Sequence, residues 1–272
     1  MKPSFLSVNG VPAFVVAVGV GGRIRHFVGD AYEPLDVLSP TAATLRAVWV
    51  NSPLDAWAVG EQGTILHWDG AAWSAVLLAA RTDDLLTVWS CDGEVWIGGT
   101  HRLISHRPGG VGGMLVSAAH VIRHIWGSGR DDVFFLCDEG LVLHGGSKGC
   151  QIISNREMRG AGYTALGGGS EEECVYFVGE SGLVTRWDGD GWFDMESDIE
   201  DDLFGVAVEG PELWTVSRIG QLWHYDGRAW EVAASVPFGM LRSVCLVDGC
   251  VWAVGMGGVV LQHRPEDGSN QE

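Results

Sequence analysis

A unit of 38 to 42 residues recurs seven times along the 272-residue chain, each copy reads as short apolar strands between turns, and Gly and Trp are both abundant. These observations predict an all-β fold: a seven-bladed β-propeller of four-stranded antiparallel blades, the last blade reduced to three strands, as one domain over residues 1–272. The 40 glycines answer to the many turns, and one aromatic position per copy multiplies toward the 13 tryptophans.

The clearest copy runs LRAVWVNSPLDAWAVGEQGTILHWDGAAW, from Leu45 to Trp73. Leu45–Val50 is an apolar run of strand type, and Asp55–Val59 is a second. Gly60-Glu61-Gln62-Gly63 makes a tight turn into a third strand, Thr64–Trp68. Asp69-Gly70 is a two-residue hairpin signal. Trp73 opens a fourth strand, Trp73–Leu78.

The turn glycine sets the register. Its column reads Gly22, Gly63, Arg102, Gly140, Gly182, Gly220 and Gly258. Six residues earlier stand Val16, Trp57, Trp96, Phe134, Tyr176, Trp214 and Trp252. Two residues after the glycine stand Ile24, Ile65, Ile104, Val142, Val184, Leu222 and Val260. One blade has two apolar faces and cannot stand alone; stacking blades around an axis buries both. A linear array would need polar capping copies, so a closed ring is expected. Only Arg264–Glu272 follows His263, and Met1–Pro3 is too short to lend a strand. Closure without an exchanged outer strand is therefore expected. The Gly-rich stretches Arg107–Val121 and Gly145–Gly162 read as surface loops.

The net charge of −18, from 17 basic and 35 acidic residues, disfavours nucleic acid and anionic membrane surfaces. It favours a basic protein partner. Six cysteines without a CxxC pair read as buried free thiols. The absence of an apolar run of about 18 residues, and of a signal-peptide pattern, leads to a cytoplasmic location.

DAWAVGEQGTILHWDGAAW, VYFVGESGLVTRWDGDGW and LWTVSRIGQLWHYDGRAW resemble bacterial propeller repeats of the broad group that includes WD40-, YVTN- and BNR-like families. The resemblance covers essentially the whole chain and implies the propeller fold. It leaves function open, because propellers host binding modules, lyases and hydrolases alike. True WD40 repeats match poorly, since the Trp-Asp here enters a hairpin and no regular Gly-His start is present. No copy fits the sialidase Asp box S-x-D-x-G-x-T-W.

Three further columns bear on chemistry. Ten residues past the aromatic come His26, His67, His106, His144, Arg186, His224 and Gln262. On third strands, neighbouring copies would stand roughly 14 Å apart, too far to share a metal ion. The expectation is instead a histidine that caps the third strand and bonds a neighbouring blade, with no metal and no cofactor. Tyr32, Trp73, Trp192 and Trp230 follow the hairpin and are expected to cover the outer end of their blades. The second position of the innermost strand reads Phe5, Arg46, Leu86, Arg123, Thr164, Phe204 and Arg242. The turns toward the same face carry Glu61, Asp138, Glu180 and Arg218.

Arg46, Arg123 and Arg242, with Glu61, Asp138 and Glu180, are thus the candidate binding residues. They form either a polar pocket for an anionic group or a set of ion pairs that lock blades together. The acidic run from Asp194 to Asp202 lacks calcium-loop spacing and reads, like Glu171-Glu172-Glu173, as solvated charge. No G-x-S-x-G elbow occurs, and no catalytic residue is assigned. The function expected is a non-catalytic module that binds a protein or peptide, such as a neutralising partner of a toxin or a scaffold. The alternative is a lyase or hydrolase acting on an anionic small molecule at the channel mouth, for which His124 beside Arg123 is the histidine to watch. Strand alternation directs His124 into the blade. A purely structural oligomerisation domain is the third option.

Overall fold

The computed structural model describes residues 4–76, 83–106, 116–117, 120–146, 149–154, 158, 160–169, 174–237 and 239–265. Within them the chain forms seven antiparallel sheets in order around an axis, six of four strands and a seventh of three. In blade 2 the strands are Leu45–Ser52, Asp55–Gly60, Ile65–Trp68 and Trp73–Ala75. In blade 7 they are Leu241–Val247, Cys250–Gly255 and Val260–His263. The remaining innermost strands are Phe5–Val11, Leu85–Cys91, Ile122–Gly129, Tyr163–Gly168 and Leu203–Glu209, for blades 1, 3, 4, 5 and 6.

Second strands are buried almost throughout, because they face apolar neighbours on both sides. The core is a chain of clusters between adjacent blades. Trp57, Val59 and Ile65 of blade 2 meet Val88, Ile97 and Ile104 of blade 3, for example. The Asp-Gly hairpins have a specific cause: Asp69 Oδ1 accepts the backbone N–H of Ala71 and of Ala72, both at 2.9 Å. Asp188 and Asp226 do the same in blades 5 and 6. These bonds stabilise the charged form and hold all three carboxyls below their usual range.

Gly182 shows why the turn column is glycine. Its φ is +72°, and a Cβ there would meet the Ile199 carbonyl oxygen at 1.7 Å. Blade 3 departs from the column because its turn is one residue shorter. Trp96 pairs with Ser105 and Gly98 with Leu103, whereas Trp57 pairs with His67 and Val59 with Ile65. Leu103, not Ile104, therefore occupies the third-strand column, and Ser105, not His106, the position of the histidines. The Gly-rich stretches are not loops alone. They contain the outer strands Val116–Ser117 and Gly149–Ile152. Glu171-Glu172-Glu173 and residues 266–272 lie outside the described residues.

The histidine column is structural, with one correction. His67, His144 and His224 stack on Trp57, Phe134 and Trp214 at ring separations of 4.4, 4.2 and 4.0 Å. Each Nε2 faces a carboxylate at the start of its own second strand: Asp55 at 2.8 Å, Asp132 at 2.6 Å and Glu212 at 3.1 Å. The bond is thus within the blade, not to its neighbour. In blade 3 Ser105 donates to Glu94 at 2.6 Å in the same place. Among the described residues, His26 alone of the column follows the expected course of a hydrogen bond across a junction: its Nε2 accepts the indole N–H of Trp73 at 3.0 Å.

Closure uses no exchanged strand among the described residues. The bonds across the seam from blade 7 to blade 1 are copies of those at ordinary junctions. The Val8 N–H donates to Ser243 Oγ at 3.2 Å, as the Val48 N–H does to Ser7 Oγ and the Ile125 N–H to Thr87 Oγ1, also at 3.2 Å. The Gly257 N–H donates to Ser4 Oγ, as those of Gln62 and Ser181 donate to Asp84 and Asp202. The Tyr32 hydroxyl reaches back to Asp248 at 2.8 Å, as Trp73 reaches His26 and Trp192 reaches the Ile153 carbonyl. Three of the four aromatics after the hairpin therefore bond to the preceding blade; the Trp230 indole N–H is buried without a hydrogen-bond partner among the described residues.

Candidate functional site at the bulge face

Every innermost strand carries a β-bulge at its second residue. The register with the second strand jumps between Phe5 and Ser7, Leu45 and Ala47, Ile122 and His124, Tyr163 and Ala165, Leu203 and Gly205, and Leu241 and Ser243. In blade 3 the jump skips Leu86. A bulge leaves one residue unpaired and re-aims its side chain. The seven residues so displaced are Leu6, Arg46, Leu86, Arg123, Thr164, Phe204 and Arg242, and all line the central cavity of about 1000 Å³. The blade 1 member is Leu6 and not Phe5, which is fully buried in the seam cluster.

The turns between second and third strands form a second ring at the same end. In all seven blades the first turn residue donates its N–H to the carbonyl just before its own innermost strand. Val20, Glu61, Thr100, Asp138, Glu180, Arg218 and Met256 bond Ser4, Thr44, Asp84, Val121, Gly162, Asp202 and Met240 at 2.9 to 3.0 Å. Each turn is thereby fixed against the backbone, while its side chain is left free to vary.

The six candidate residues divide. Arg46 Nη2 meets Glu61 Oε1 at 2.8 Å and Asp84 Oδ2 at 3.8 Å, which ties blade 2 to blade 3. Both partners are about one-third exposed, so the pair adds little stability. Arg123 is exposed and makes no ion pair among the described residues. Arg242 is also exposed, and its guanidinium lies 4.8 Å over the Phe204 ring, a cation–π contact. Glu180 lines the cavity; its carboxylate lies over Gly162, where a Cβ would come within 2.4 Å of it. Asp138 turns away from the cavity lining to accept the Val121 N–H at 3.2 Å and to face His120 at 3.4 Å. Arg218 is held by Asp201 and Asp202 at 3.4 and 3.3 Å, so part of the acidic run serves as latches.

His124 follows Arg123 on the innermost strand of blade 4. Its Nδ1 is buried with no hydrogen-bond partner among the described residues. Burial lowers its pKa to about 4, so the imidazole is neutral near pH 7. No group of three or more metal-ligating side chains occurs among the described residues. Sequence reasoning missed Leu6, Glu139 and the apolar turn residues Val20, Ile219 and Met256. The first turn position carries the signal for Val20 and Met256, and the residue after Arg218 carries it for Ile219.

These features define a seven-bladed β-propeller with one rigid, chemically varied face. No family model matches the chain. A segment of 92 residues is 27% identical to the immune protein Tsi7 of Pseudomonas aeruginosa; the match spans 30% of this chain and 30% of that protein. Among solved structures, YCF48 from Cyanidioschyzon merolae superposes with a TM-score of 0.76 at 14% identity, over 98% of this chain and 97% of that one. A structure described as YCF48 bound to D1 peptide gives 0.79 at 16%, over 97% and 94%. The computationally designed Ika8 protein gives 0.74 at 12%, over 97% of each chain. At such identities the likeness is one of fold.

Proposed function

We propose that the chain is a non-catalytic interaction module that binds a protein or peptide on its bulge face. The observation that carries this reading is the turn ring: one backbone bond repeated in seven blades holds side chains of six different types, Val, Glu, Thr, Asp, Arg and Met. Such a scaffold fixes contact residues without an ordering cost at binding. In this reading Arg123 and Arg242 at the channel mouth take an anionic side chain or terminus, beside the half-neutralised Arg46. Glu61, Asp138 and Glu180 face basic groups of the partner, in keeping with the net charge of −18. A fold neighbour solved with a peptide supports peptide binding. The partial relative named as an immune protein supports the narrower reading of a neutralising partner. Six free cysteines support a cytoplasmic location.

The test is capture from an extract of the source cell, on the native chain and on an Arg123→Glu/Arg242→Glu/Glu180→Lys variant. A protein retained by the native chain and by a Leu54→Ser variant on the opposite face, and lost from the triple variant, supports the reading. Binding that ignores all of these changes refutes it. One observation favours a second reading, an anionic small molecule in the channel: among the described residues Arg123 lacks an ion pair, and it adjoins His124, whose buried Nδ1 has no hydrogen-bond partner. Calorimetry with small dicarboxylates tests that alternative.

A further inference from the structure

The bulge face is divided into two chemically unlike sectors, and the division is not required by the fold. Blades 6, 7 and 1 are consecutive in the closed ring. Their turns expose Ile219 at 60%, Met256 at 47% and Val20 at 42%. Their bulges present Phe204, Arg242 and Leu6 to the cavity lining. The one cation among these bulged residues, Arg242, holds its guanidinium 4.8 Å from the Phe204 ring centroid, and the Arg218 of the blade 6 turn is paired with Asp201 and Asp202. The sector therefore carries apolar side chains from channel to rim, with Arg242 and the paired Arg218 as its charged members.

Blades 2, 4 and 5 carry Glu61, Asp138, Glu139 and Glu180 at the same turn positions. Since all seven turns are held by the same backbone bond, a polar side chain at 20, 219 or 256 would fold as well. Three large exposed apolar residues on adjacent turns thus do nothing for the core. Exposed apolar side chains on three adjacent turns of one face mark a contact site.

We infer that the sector of blades 6, 7 and 1 is the docking site for a partner protein that presents apolar side chains flanked by Lys or Arg. The apolar side chains rest on Ile219, Met256 and Val20. The flanking cations meet the acidic turns of blades 2, 4 and 5, and the strongly acidic chain steers their approach. The inference rests on the interaction-module reading and adds which sector of the face carries the affinity and what chemistry it selects.

The probes are three fluorescein-labelled peptides of equal length, made of Leu and Lys, Leu and Glu, or Ser and Lys, titrated by anisotropy against the full chain. The Leu/Lys peptide is expected to bind at least tenfold more tightly than either counterpart. Val20→Ser/Ile219→Ser/Met256→Ser should remove that preference, and Glu61→Gln/Glu180→Gln should weaken binding and flatten its salt dependence. Leu54→Ser should change nothing. The substituted side chains are exposed, so unchanged denaturation midpoints verify that the variants fold.

Equal binding of the Leu/Glu peptide, or a triple-serine variant with native affinity, overturns the inference. So does a native dimer, seen by sedimentation, that the triple-serine variant converts to monomer, because a second copy then covers the sector. If the partner captured by the native chain is lost on changing the channel mouth but not on the serine changes, the module reading stands and the sector assignment falls.

Discussion

The seam between blades 7 and 1 sets up a quantitative comparison. Ser243 bonds the Val8 N–H across the seam in the same geometry by which Ser7 bonds the Val48 N–H across the junction of blades 1 and 2. Both acceptors are half-buried and both distances are 3.2 Å. Replacing either serine by alanine removes one hydroxyl acceptor and strands a half-buried backbone donor. A hydrogen bond of this kind contributes about 1 kcal/mol net, and a stranded donor raises the loss toward about 2 kcal/mol. For a chain of this size, about 1 kcal/mol lowers the melting temperature by roughly 2–4 °C. Ser243→Ala and Ser7→Ala are therefore expected to lose the same amount, about 1–2 kcal/mol each, in urea unfolding followed by tryptophan fluorescence. Both transitions should remain single, because a closed ring has no free end from which to fray. A silent Ser243→Ala beside a costly Ser7→Ala would refute the argument, since it would mean that the seam is already open in solution. A second, earlier transition confined to Ser243→Ala would count the same way.

Gly182→Ala forces a positive φ on a side chain and drives its Cβ into the Ile199 carbonyl; a loss above about 2 kcal/mol is expected. Gly129→Ala meets nothing within 4 Å and should stay within about 1 kcal/mol of native in the same denaturation assay. Burial lowers the pKa of His26 to about 4, and its Nε2 must stay unprotonated to accept the Trp73 N–H. A folded pKa below the unfolded value means that the unfolded chain binds more protons. This contribution is therefore complete above about pH 6.5 and is lost as pH falls toward 4, by about 1–3 kcal/mol. A histidine NMR titration that finds His26 near 6.5 would contradict it. Cys137, Cys245 and Cys250 are buried, and burial pushes the Cys137 thiol up to about 12 and that of Cys245 higher. A disulfide reagent should reach Cys91, Cys150 and Cys174 in the native protein and Cys137, Cys245 and Cys250 only on unfolding; early modification of Cys245 would show the seam cluster to be open.

Repetition made most of the fold legible. The turn glycine, the aromatic and the branched aliphatic after the turn recur because each blade solves the same local problem, so copies could be aligned without a structure. The errors arose where residue type imitated register. Arg102 and Ile104 fit their columns by spacing, yet the blade 3 turn is one residue shorter, and only the pairing of Trp96 with Ser105 reveals it. Phe5 fits by residue type the position that Leu6 occupies, because a bulge has no residue signature of its own. The carboxylate partners of the histidines were readable in principle. Asp55, Asp132 and Glu212 each stand two residues before the aromatic and twelve before the histidine.

The sequence alone determined the blade count, the three-stranded last blade and the demotion of the histidines from metal ligands to repeat architecture. The first two follow from counting copies, and the third from the separation of roughly 14 Å between neighbouring copies on third strands. The tertiary structure alone decided which arginines are paired, that bulges aim one residue per blade at the channel, and that blades 6, 7 and 1 join into one apolar sector. The first two follow from contacts between neighbouring strands and blades, whereas the last depends on bringing residues more than 200 positions apart together at the seam. That meeting follows from ring geometry, and no local preference of the chain encodes it.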